Sequence, residues 1–154
     1  QGNLTHLDAS ADFSYDEGFV NGERRVDVVN RELLGVSDWS YNLIGMFEAE
    51  GLSARLAYNW RSDFPLTYQR RGDHLYTEEA DSVSRLDLSV SYDLFDNFTI
   101  FGDWTNILGD PFTSTLTRTD VAPPNGEPTG FVATFPRVVR YEETTVSAGI
   151  RFRF

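Results

Sequence analysis

The last eleven residues, 144–154, alternate without interruption. Thr144, Val146, Ala148, Ile150, Phe152 and Phe154 fall on one face of an extended strand, and Thr145, Ser147, Gly149, Arg151 and Arg153 on the other. The second face carries two full charges and must meet water. The run has the roughly 9–11 residues that a tilted membrane-crossing strand needs. Lipid on one side and an aqueous lumen on the other is the pattern of a transmembrane β-barrel strand. A single strand of this kind more often belongs to a soluble antiparallel sheet, so only repetition decides.

The pattern repeats. Leu86, Leu88, Val90, Tyr92 and Leu94 oppose Arg85, Asp87, Ser89, Ser91 and Asp93; Leu52, Ala54, Leu56, Tyr58 and Trp60 oppose Ser53, Arg55, Ala57, Asn59 and Arg61. Tyr41, Leu43, Gly45 and Phe47 continue the apolar side, as do Phe98, Ile100, Gly102 and Trp104, although Phe101 joins the polar one. The expected strands are 1–8, 40–48, 52–61, 83–94, 98–108 and 143–154. Short turns at 49–51 and 95–97 alternate with long segments at 9–38, 62–82 and 109–142, which are rich in Gly, Pro and charge. Structureless connections of that length are rare in compact soluble domains, whereas bacterial barrels have short turns at one end and long loops at the other. Aromatic residues agree with that topology. Trp39, Tyr41, Tyr58, Trp60 and Trp104 sit at the outer strand ends, and Phe47, Tyr92, Phe95, Phe98, Phe152 and Phe154 at the inner ends, as two girdles. Within 9–38, Asn21-Gly22 is a preferred hairpin turn pair. Within 109–142, Pro111, Pro123, Pro124, Pro128 and Pro136 argue against a continuous ladder and for an irregular cap.

Composition fits this expectation and removes others. No run approaches the 18 or so apolar residues of a membrane helix, and a mean hydropathy of -0.36 does not count against strands that hide their lipid face in alternation. The net charge of -11 disfavours nucleic acid as a partner. With no cysteine, disulfides and thiolate metal sites are excluded, and every one of the 13 basic residues is Arg. The chain starts at Gln1 without a signal peptide, so the beginning of an exported barrel is expected to lie elsewhere. The smallest bacterial barrels use about eight strands. Six strands are then expected to be part of something larger.

Ser40-Tyr-Asn-Leu-Ile-Gly-Met-Phe-Glu48 followed by Gly51-Leu-Ser-Ala-Arg-Leu-Ala-Tyr-Asn-Trp-Arg-Ser62 resembles a hairpin near the C-terminus of TonB-dependent outer-membrane receptors. Trp104-Thr-Asn-Ile-Leu-Gly-Asp110 is similar to their Asn-Leu-x-Asp strand end, with Ile107 interrupting the pair, and Gly149-Ile-Arg-Phe-Arg-Phe154 resembles their terminal strand. The likeness runs along the whole chain and is nearest to the subgroup of Caulobacter- and Xanthomonas-type bacteria. It implies an all-β fold, the C-terminal six strands of an antiparallel barrel of about 22. It also implies a plug domain and TonB-binding segment outside these residues, and uptake of a siderophore, vitamin or oligosaccharide across the outer membrane. Implied partners are outer-membrane lipid, the rest of the barrel with its plug, the TonB complex, the barrel-assembly machinery and a surface lipoprotein. No cofactor is implied. Ile150, Phe152 and Phe154 would form the assembly signal.

The residues offer little for bond-making chemistry. Of the two histidines, His6 and His74, only His74 has company, with Asp73, Asp81 and Ser82 in one segment, and a solvated loop explains that grouping better than an outer-membrane protease or lipase. Asp120, Asn125 and Glu127 fit no calcium-loop spacing. Arg55, Arg85, Asp87, Asp93 and Asp103 would line the lumen and hydrogen-bond either the plug or a passing solute, the plug being the favoured partner. Tyr68, Arg70, Arg71, His74 and Tyr76 mix rings with Arg and suit a ligand that stacks and carries carboxylates. The competing reading is a soluble or surface-attached antiparallel β-sheet domain whose apolar faces meet a partner sheet.

Overall fold

The computed structural model describes residues 1–20, 22–122 and 127–154. They form twelve strands and, among the described residues, no helix. In chain order these are β1 (Gly2–His6), β2 (Ser10–Val20), β3 (Glu23–Glu32), β4 (Trp39–Ala49), β5 (Leu52–Arg61), β6 (Phe64–Arg71), β7 (His74–Ala80), β8 (Val83–Phe95), β9 (Phe98–Thr105), β10 (Phe112–Ala122), β11 (Glu127–Arg140) and β12 (Thr145–Phe152). All ladders are antiparallel.

Six strands form a meander, β1-β4-β5-β8-β9-β12, in the order and number expected. It is an open sheet, with β1 and β12 as its edges. Its two tight turns have clear causes. Ala49 pairs with Leu52, so Glu50 and Gly51 alone make the first turn, with φ of 47° and 82°. That is the doubly left-handed geometry that suits strand twist, and glycine adopts it at little steric cost. A Cβ at Gly51 would lie 3.1 Å from the Asp93 carbonyl oxygen, so the close approach of the neighbouring strand also requires glycine. Phe95 pairs with Phe98 around Asp96-Asn97, a second two-residue turn that follows a register shift between Asp93 and Phe95.

The long segments depart from expectation because they are themselves strands. β2–β3 is the hairpin expected within 9–38, although Asn21 of its turn lies outside the described residues. Segments 62–82 and 109–142, expected as irregular loops, instead supply β6–β7 and β10–β11, which join through β7–β10 into one four-stranded sheet, β11-β10-β7-β6. The prolines do not prevent this. Pro65 lies on β6, and Pro128 and Pro136 on β11, both edge strands, where a missing N–H need not interrupt a neighbour. Register shifts between Ser114 and Thr115 and between Thr119 and Val121 absorb the irregularity as bulges. Pro123, Pro124 and Asn125 lie outside the described residues.

The most buried side chains cluster where the two sheets meet. Phe64, Pro65, Ala80 and Ser114 are buried, Ser114 Oγ donates to Glu78 Oε1 at 2.9 Å, and Arg137 Nε lies 3.1 Å from Glu78 Oε2. The Arg61 guanidinium lies 3.7 Å over the Phe64 ring. Arg61 Nε also donates to Ser37 Oγ at 3.0 Å, and the Gly35 N–H donates to the Pro65 carbonyl at 2.8 Å. This knot fixes the extension, meaning the four-stranded sheet together with the β2–β3 hairpin, to the Trp39 and Arg61 end of the meander.

Candidate functional site

Register places the alternating residues of all six meander strands on common faces. One apolar row runs Leu4, Tyr41, Trp60; another runs Gly45, Leu56, Leu88, Trp104, Val146; a third runs Tyr92, Ile100, Ile150. No strand outside the six makes more than marginal contact with them, so among the described residues no other strand covers this face. Leu43 is 53 % exposed, Phe47 57 %, Ile150 67 % and Phe152 54 %. Rings cluster at both strand ends: Tyr41 and Trp60 stack with centroids 5.1 Å apart, and Phe152 lies 6.0 Å from Phe98 and 5.3 Å from Phe154.

The opposite face carries Arg55, Arg85, Asp87, Asp93 and Asp103 together, as expected from alternation. The structure divides them. Arg55 and Asp103 flank Ser89 and open onto a shallow groove with Met46 and Phe101. Phe101 lies over Gly149, where any side chain would collide with the ring, and so a phenyl group fits on the wet side. Asp93 accepts from Thr99 Oγ1 at 2.5 Å. Asp87 accepts from the Asn106 N–H at 2.8 Å and from Arg85 Nε at 3.3 Å, which makes it a strap for the 106–110 turn.

That turn ends β9 earlier than expected. Asn106 has φ 53° and is 2 % exposed; such a residue cannot continue a strand, so the element stops at Thr105 instead of 108. Its side chain donates to the Glu142 carbonyl at 3.3 Å, its carbonyl accepts from Thr144 Oγ1 at 2.8 Å, and Ser84 Oγ donates to Asp110. The Trp104–Asp110 motif is thus a clasp joining β8, β9 and the start of β12. The first strand also shortens to Gly2–His6 and the last to Thr145–Phe152.

In the extension, the five ring and Arg residues split between two faces. Tyr68 and Arg70 share one face with Leu75, Thr77 and Thr117; Arg71, His74 and Tyr76 share the other with Arg118 and Asp120. They do not form one site. On the second face Arg118 grips Asp120 with both nitrogens, at 2.9 and 3.1 Å, and His74 Nδ1 is 2.7 Å from the same carboxylate. The Arg118 hydrogen bond holds the Asp120 carboxyl below the usual range against the opposing effect of burial, and His74 adds to it.

On the first face the β2–β3 hairpin leans over the sheet. Phe13 meets Tyr68 edge-on at 5.1 Å, the Arg31 guanidinium lies 5.1 Å from the same ring, and Arg70 Nη1 is 3.6 Å from Asp27. Between them is an open groove of about 570 Å³. Arg31 and Glu32 line it from the hairpin, and Tyr68, Thr77, Glu79 and Thr117 from the sheet. Burial raises the Tyr68 hydroxyl above its ordinary value, and the Glu32 carboxylate pushes the same way. Sequence reasoning found Tyr68 here but missed Arg31, Glu32 and Glu79. The alternating threonines of β10 were the available signal.

The other groupings are not assembled. His74 opens β7 and Ala80 ends it roughly 20 Å away at about 3.3 Å per residue, with Ser82 beyond that end, and Asp81 instead accepts from Thr113 Oγ1 at 2.5 Å. Asp120 is committed to Arg118 and His74, Asn125 lies outside the described residues, and no three acidic or histidine side chains among the described residues converge on a metal position. Comparison with family models, with curated proteins and with solved structures returns no match.

Proposed function

We propose that the chain is a wall segment of a TonB-dependent outer-membrane receptor, with its meander forming six strands of a barrel of about 22. In this reading the receptor takes up a siderophore, vitamin or oligosaccharide. The chain contributes binding and gating, with no bond-making chemistry. The observation that carries this is the uncovered apolar face, continuous across six strands, opposite a face bearing Arg55, Arg85, Asp93 and Asp103. In water, each large side chain left exposed forfeits roughly 1.5–3 kcal/mol of burial; in hydrocarbon the same face is matched to its solvent. The open edges point the same way. Unpaired backbone groups in lipid cost several kcal/mol each, so β1 and β12 require further strands beside them.

The remaining parts then have natural assignments. The wet face meets the lumen and plug, the β2–β3 hairpin and the four-stranded sheet project outside, and Ile150, Phe152 and Phe154 on the free edge strand β12 are read by the assembly machinery.

The test is fractionation of the intact protein that carries this chain. It should enter the detergent-extracted outer membrane, migrate differently on gels before and after boiling, and support nutrient uptake that stops when TonB is deleted. A soluble monomer with one gel mobility would sink the proposal and favour a β-sheet binding domain.

A further inference from the structure

We propose that the groove between the β2–β3 hairpin and the extension sheet binds a neutral, hydroxyl-rich ring, a unit of an oligosaccharide. The inference deepens the transporter reading and rests on it for treating the ligand as cargo.

The groove, at about 570 Å³, falls in the size range of small-molecule sites. Its lining is unlike most of them. Tyr68 is the only aromatic ring among the lining residues, and Thr77, Thr117, Glu32, Glu79 and Arg31 supply polar groups around it. A ligand without polar groups would strand these donors and acceptors away from water, so the occupant must be polar over most of its surface. Charge narrows the choice. An anion would face Glu32 and Glu79, and a cation would face Arg31. No convergence of acidic groups among the described residues would hold a metal. Hydroxyl groups satisfy both kinds of partner. They donate to the two carboxylates in charge-assisted bonds and accept from Arg31 and the threonines.

Two further observations favour a ligand here. Arg31, which lines the groove, has its Nε shielded from solvent and without a hydrogen-bond partner among the described residues, so a ligand oxygen would complete this donor once the guanidinium turned toward the groove. Thr117, Thr77 and Tyr68 also stand in one register row, which presents two hydroxyls beside an amphipathic ring. A sugar has the matching shape, with hydroxyls around its edge and an apolar C–H face.

The experiment is calorimetric titration of the intact receptor in detergent with maltohexaose, cellohexaose and xylohexaose. Hexagalacturonate serves as the anionic probe and a ferric trihydroxamate chelate as the non-sugar probe. At least one neutral hexasaccharide should bind saturably, and Glu79→Gln and Thr77→Val should each weaken it roughly tenfold. Arg24→Gln at the hairpin tip should leave it unchanged, and unaltered heat-modifiable mobility would show that the variants fold. Binding of only the uronate or the chelate, binding of no probe, or neutral-sugar binding indifferent to both substitutions would overturn the proposal. In those cases a heat-modifiable protein with TonB-dependent uptake would leave the transporter reading standing. A soluble protein that still bound sugar through Glu79 would remove the transporter reading and keep the groove.

Discussion

The meander and the extension use the same backbone device in different ways. β4 and β10 are both eleven-residue antiparallel strands. In the meander, side chains of one kind line up in apolar rows and remain exposed or half-buried, with the ladder supplying the contacts between strands. In the extension, polar and ring partners are found within the molecule, Arg118 and His74 on Asp120, Ser114 and Arg137 on Glu78, and Arg31 and Phe13 on Tyr68, although Phe131, Val132, Phe135 and Val139 of β11 stay exposed. Ion pairs and hydrogen bonds of that kind suit a sheet that meets water. A sheet with one apolar face unmatched needs another solvent or another surface.

The sharpest way to break this contrast is to place the same charge in each region. Leu88→Arg, in the middle of β8 on the apolar face, should destabilise the folded protein by about 2–4 kcal/mol, whereas Thr134→Arg on exposed β11 should stay within about 0.5 kcal/mol. Urea unfolding followed by the heat-modifiable band measures both. Two small effects would mean that the apolar face never meets hydrocarbon.

Asn106→Ala comes next, at about 2 kcal/mol: roughly 1 for alanine in the left-handed region and roughly 1 for the lost hydrogen bond to Glu142. Asn106→Gly should recover the backbone part, and equal losses for the two variants would refute the strain account. The glycine turns extend the comparison across regions. Gly51→Ala should cost about 1–2 kcal/mol, because it meets both a φ of 82° and the Asp93 carbonyl, while Gly72→Ala, with φ 60° and open space around it, should cost about 1. If Gly72 proved the more sensitive, close strand approach would not be what fixes the 50–51 turn.

The meander was legible because period-two alternation is a local signal that tertiary contacts reinforce. Leu52–Arg61 ends where alternation ends, and Glu50-Gly51 marks its turn. The extension was harder to read because β6, β7 and β10 mix polar and apolar residues on both faces and β11 sets apolar residues side by side, as at Phe131-Val132 and Val138-Val139, so alternation carried little hydrophobic contrast. Its signals were turn chemistry and β-branching: Gly72-Asp73 between Arg71 and His74, and threonine at every second position from Thr113 to Thr119. The prolines outweighed these because sequence alone did not reveal that β6 and β11 would be edges. The groove was less legible still, since Arg31 and Tyr68 meet only through the packing of separate excursions.

The smallest expected effect is a pH response confined to the extension. Asp120 on β10 is faced by Arg118 on its own strand and by His74 on β7, with Arg71 opposite His74 on β6. The Arg118 hydrogen bond is the main reason that its carboxyl titrates below the ordinary value of 3.8, with His74 assisting against burial. A carboxyl whose folded pKa is lowered contributes stability that is fully present above the unfolded value and is lost as pH falls through the folded one. The β7–β10 clasp should therefore hold at neutral pH and loosen only in the acid range beneath 3.8. Asp16, lowered chiefly by its hydrogen bond from Arg24, has the same sign in the β2–β3 hairpin, so the readout must resolve sites. Pepsin cleavage mapped by mass between about pH 4 and about pH 2 can do this, since the protease works across that window. Cuts within β7 and β10 should accelerate as pH falls, and Asp120→Asn should remove that dependence while the β4–β5 hairpin stays flat in both proteins. If wild type and Asp120→Asn lost protection together, the clasp would owe its strength to the ladder alone.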